Sequence, residues 1–125
     1  MTPEAALHSF LSGFGIPAYA AASTPDQADF PYITYVLAVS GGWDAGEVAV
    51  RVDVWYRTES EAAPNAKVRE MYLAIGAGGV TVPCDWGMLW IKRGSPWAQA
   101  VGSDSGDDMV KHRYVNIDVE YLVTG

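Results

Sequence analysis

The chain has 125 residues, 50 % of them apolar, and a formal net charge of −7 from 15 acidic against 8 basic side chains. That is enough chain for one domain with a real core, and the acidic balance disfavours tight, direct binding to a phosphate backbone. A single cysteine, Cys84, excludes an intrachain disulfide framework or cysteine-pair metal site and reads as a small buried apolar residue.

The N-terminus has no basic region before an apolar run, and nowhere do about 18 apolar residues run uninterrupted, so membrane insertion and export lack support and synthesis in the cytoplasm is expected. Thr2 is a good N-cap, Pro3 suits the first helical position, and Glu4 suits the first turn. Leu7, Phe10, Leu11 and Phe14 then recur at i, i+3, i+4 and i+7, which predicts a short amphipathic helix. Gly13 and Gly15 stop it and Pro17 prevents its continuation. The run AYAAASTPDQADFP reads as a short extended piece followed by a polar, proline-bounded turn.

Pro31 opens a strand in which Ile33, Tyr35, Leu37 and Val39 alternate with Tyr32, Thr34, Val36 and Ala38, a composition suited to cover on both faces. GGWDAG is its hairpin turn, and EVAVRVDVWYR returns antiparallel. That second strand sends Val48, Val50, Val52, Val54 and Tyr56 to one side and Glu47, Arg51, Asp53, Trp55 and Arg57 to the other. A second helix is predicted from Pro64 to Gly76, with Val68, Met71, Tyr72 and Ile75 on its apolar stripe.

VTVP and WGMLWIKR predict another hairpin, turning at Cys84 and Asp85, with Trp86, Met88 and Trp90 sharing a face. GSPWAQAVGSDSGDD reads as the longest irregular connection. In the closing strand KHRYVNIDVEYLV, Val115, Ile117, Val119, Tyr121 and Val123 oppose His112, Tyr114, Asn116, Asp118 and Glu120. The order predicts a single α+β domain over residues 1–125, mainly an antiparallel sheet with two helices packed on one face.

FPYITYVLAV, VAVRVDVWYR with the following NAKVREM, CDWGMLWIKRGSPW and HRYVNIDVEYLV together resemble the tail terminator-like proteins of long-tailed bacteriophages and prophages. The resemblance covers most of the chain after Phe30 and lies in packing and turn patterns. It implies a noncatalytic structural subunit of the virion tail, made in the bacterial cytoplasm and assembling with itself, commonly as a hexameric ring. Such a ring ends tail-tube polymerisation and offers the head-joining surface. Its implied partners are the tail tube protein and a head-completion or connector protein, with DNA passing through the ring without specific binding.

Trp43 in the hairpin turn and Trp97 in the long connection are candidate interface anchors, with packing back onto the sheet as the alternative. Arg51, Asp53, Trp55 and Arg57 share a strand face that a neighbouring subunit could meet. No cofactor or metal site is expected. SDSGDD, with Asp104, Asp107 and Asp108, lacks the calcium-loop pattern, and His8 and His112 read as isolated surface residues.

The phosphate loop, the serine nucleophile elbow and HExxH are absent. A hydrolase would need His112 beside Asp118 or Asp53 in a cleft. A monomeric ligand-binding or interaction domain, with aromatic residues lining a pocket, is the other reading.

Overall fold

The computed structural model describes residues 1–37, 42–101 and 106–123. The expected strand positions Ala38 and Val39, and Asp104 of the acidic loop, lie outside them. Helix α1 spans Pro3–Leu11, and its start is the predicted one: the Ala5 amide donates to Thr2 Oγ1 at 3.1 Å, with Pro3 just inside. A single 3-10 turn follows, and Gly15, at φ +80°, takes the left-handed conformation that ends it.

The strands are β1 (Ala18–Ala20), β2 (Tyr32–Leu37), β3 (Glu47–Arg57), β4 (Val80–Cys84), β5 (Gly87–Val101) and β6 (Val110–Val123), with helix α2 (Ala62–Ile75) between β3 and β4. They form one six-stranded sheet in the order β1-β2-β3-β6-β5-β4. Among the described residues only β1 and β2 run parallel; every other pair is antiparallel. β3 and β6 are central, paired along all of β3 from Glu47 opposite Glu120 to Arg57 opposite Val110.

The alternation of β3 sets the core. Val48, Val50, Val52 and Val54 are buried together with Ile33 of β2, Leu89 and Ile91 of β5, and Val115, Ile117 and Val119 of β6. Leu7 and Leu11 of α1 and Met71 and Ile75 of α2 enter the same cluster. Fully burying such side chains contributes about 1.5–3 kcal/mol each, which is why a sheet two strands wide on each side of the β3–β6 pair gains from two helices.

The fold departs from four of the expectations. The stretch from Gly94 to Val101 is strand, not irregular connection: β5 continues past a bulge between Arg93 and Ala98 and resumes pairing, Ala98 opposite Val115 through Val101 opposite His112. Asn116 spans that bulge, its Nδ2 donating to the Pro96 carbonyl at 2.8 Å. Helix α2 begins at Ala62 instead of Pro64, because Ser60 Oγ accepts the Ala62 amide at 3.0 Å and a proline in the first turn forfeits no helical hydrogen bond. The second hairpin turns at Asp85–Trp86, with Cys84 opposite Gly87, and Cys84 is half-buried instead of enclosed.

Candidate interaction surface

The side chains of β2, β3 and β6 that alternate with the core set build a connected network. Asp53 and His112 sit diagonally across the β3–β6 ladder, His112 Nε2 2.6 Å from Asp53 Oδ1. Arg51 grips the same carboxylate from two residues away, through Nε at 3.1 Å and Nη2 at 3.3 Å. Burial pushes the Asp53 carboxyl up, but hydrogen bonds from His112 and Arg51 and the guanidinium charge outweigh it and hold it below the usual carboxylate range. Asp53 is therefore ionised at neutral pH, and Nε2 is the protonated nitrogen facing it.

Trp55 lies over His112, ring centroids 3.8 Å apart and planes within 12°. Its Nε1 donates to Thr34 Oγ1 at 3.0 Å, and Tyr32 stacks on its outer side at 6.2 Å. The Arg51 guanidinium lies 4.6 Å from the Tyr114 ring centroid. Three strands are thus tied by one chain of contacts in which each buried polar group is satisfied.

His112, read from sequence as a strand-surface residue, is buried at 7 % exposure, because Trp55 covers its ring. Alternation placed it on the outer side correctly, but alternation carries no signal for what a neighbouring indole covers. Of the hydrolase constellation, His112 and Asp53 meet. Asp118 does not join them, since it sits opposite Ala49 and Lys92, where burial and the Glu47 charge push its carboxyl up.

The other candidate residues lie elsewhere. Arg57 Nε donates to Asp107 Oδ2 at 3.1 Å. Trp43 folds against α1 and β6, its Nε1 donating to Glu4 Oε1 at 2.9 Å and its ring edge-on to Tyr121 at 6.2 Å. Trp97 is half-buried and meets Tyr72 edge-on at 5.5 Å. His8 is exposed and its Nδ1 lies 2.8 Å from the Tyr35 hydroxyl. Among the described residues no group of three or more His, Cys, Asp or Glu side chains could hold a metal ion.

A second feature was not legible in the sequence. A groove of about 810 Å³ runs between α2 and the end of β5, with Val68, Tyr72, Trp97, Ala98 and Ala100 among its apolar lining. At one end the buried Arg113 binds Glu61 and Asn65, so those polar groups are already committed. Arg69 lines the same groove and is exposed. Because Trp97, Ala98 and Ala100 lie in a segment whose Gly, Ser and Pro read as loop, no pattern linked them to α2.

No protein-family model matches the chain, and a search of curated proteins finds no similar sequence.

Proposed function

We propose that this protein is a noncatalytic, self-assembling structural subunit of a phage or prophage tail neck, a ring-forming tail terminator. In this reading both helices lie on one face of the sheet and the other face is left for a neighbour. The observation that supports it is the division of side chains along β2, β3 and β6: one set enters a single cluster with α1 and α2, and the other set is pre-ordered as the Tyr32–Trp55–His112 stack beside Arg51–Asp53. Val36 of β2, opposite Arg51, is 45 % exposed. A rigid aromatic and ionic surface loses little entropy on docking, which is what a permanent subunit contact needs.

The Asp53–His112 pair serves this reading as a clamp between β3 and β6, since Arg51 holds the carboxylate and Trp55 covers the imidazole. The ring, commonly a hexamer in the proteins the chain resembles, would meet the tail tube protein on one circular face and a head-completion or connector protein on the other. DNA would pass through it without being gripped.

Light scattering across a concentration series, with negative-stain imaging, tests the proposal. A closed ring is the expected result. A monomer at every concentration, both alone and with tail tubes, would sink it and favour the second reading, a monomeric ligand-binding or interaction domain. The groove beside α2 is the observation behind that alternative, because its volume falls within the range of small-molecule sites.

A further inference from the structure

We infer that the groove between α2 and the end of β5 is the seat of the acidic β1–β2 connection of a second copy of this chain. The inference rests on the self-assembling reading above and names a second contact through which copies meet, beside the outer face of β2, β3 and β6. β4 pairs only with Gly87–Ile91, so among the described residues Ala98–Val101 has β6 on one side and no strand on the other. The groove opens along that edge, and its small side chains, Ala98 and Ala100, leave room for a segment of backbone.

Charge selects the occupant. Glu61 in the groove is paired with Arg113 and Lys111, whereas Arg69 enters no ion pair among the described residues. The connection between β1 and β2 carries Asp26 and Asp29, both exposed and both outside every ion pair among the described residues, and no basic residue. Near its end stands Phe30, a large apolar side chain that packs one side of its ring against Tyr32 at 5.3 Å and is still 38 % exposed. Seated in a neighbour's groove, the two carboxylates meet Arg69 and Phe30 meets Val68, Tyr72 and Trp97.

Topology decides that the contact is between copies. β1 and β2 form one margin of the sheet while β5 and β4 form the other, and β3 and β6 lie between them. Three strand spacings of about 4.8 Å separate β2 from β5, and the connection is held at its own margin, where Phe30 packs on Tyr32, and lines no part of its own groove. A contact that joins one margin to the opposite margin of the next copy is heterologous, the kind that repeats into a ring when the rotation closes.

The test is a charge swap read by light scattering and negative stain. Arg69→Asp should raise the concentration needed for ring formation about tenfold or more, with an unchanged thermal transition because Arg69 is exposed. Asp26→Lys with Asp29→Lys should do the same. Mixing the two variants should restore rings, since each groove then meets a connection of opposite charge. If Arg69→Asp assembles like the wild type, or the mixture stays as dispersed as its components, the inference is overturned and the ring reading stands. If the wild type itself never assembles, the ring reading fails, and fluorescence anisotropy of a labelled peptide of residues 24–31 decides the groove: binding lost in Arg69→Asp supports it, and no binding overturns it.

Discussion

A buried carboxylate is costly unless its partners are in place, and Asp53 shows how a strand can carry one on its outer side. Its oxygens are held by Arg51 within the same strand and by His112 from the next, so the aspartate fastens β3 to β6 as well as filling a polar position. Replacing it with Asn keeps the volume and removes the charge; we expect a loss of about 1–3 kcal/mol at pH 7. The pH dependence has a definite sign. Because the carboxyl is held below its ordinary value, the stability it contributes is fully present above the ordinary aspartate pKa and is lost as pH falls through the lower folded value. Urea titrations of wild type and Asp53→Asn should therefore differ at neutral pH and converge as pH falls below about 4. A gap that persists undiminished in strong acid would mean that the carboxylate charge is not what holds the strands together. The sequence placed Arg51, Asp53 and Trp55 on one side by alternation, yet the partners that give them meaning, Thr34 and His112, come from other strands and could be named only once the register was known.

At the scale of elements, the legible parts were those whose pattern repeats without interruption. The valines of β3, the capped stripe of α1 and the alternating close of β6 each announce both their type and their buried side. β5 was legible only to Arg93. Gly94, Ser95 and Pro96 carry the chemistry of a turn, and in the fold they form a bulge in the strand instead of its end. Gly94 is required there for a reason unrelated to flexibility: a Cβ at that position would stand 2.7 Å from the backbone oxygen of Asn116, in the very strand that β5 must rejoin. Gly94→Ala should accordingly cost about 2 kcal/mol or more, measured by denaturant unfolding, whereas Gly78→Ala, which meets nothing within 4 Å, should be close to neutral. Equal effects at the two glycines would indicate that β5 does not need the close approach to β6. The same bulge re-aims Trp97 toward Tyr72 and so makes the groove, which explains why the missed strand and the missed groove are one omission.

The net charge is a property of the whole molecule. Each chain carries −7, so copies brought together around a channel repel both one another and any polyanion between them. Contacts that close a ring must overcome that repulsion locally, which is why a cation such as Arg69, lining a groove in an acidic protein, is better placed at a boundary between copies than on a channel wall. For DNA passing through the proposed ring the same charge would be an advantage, because retention needs phosphates to exchange their counterions for lysine or arginine, and each such contact makes binding fall steeply with salt. The assembled protein should thus show no retention of duplex DNA in a gel-shift series at about 0.15 M salt, where the screening length is near 8 Å, and should gain little when salt is lowered. Retention that strengthens strongly on dilution of the salt would reveal several phosphate contacts and a basic channel, and the role of a neutral or acidic passage would have to be given up. Failure to retain DNA together with a closed ring is the outcome expected of a passage that does not grip DNA, whether neutral or acidic.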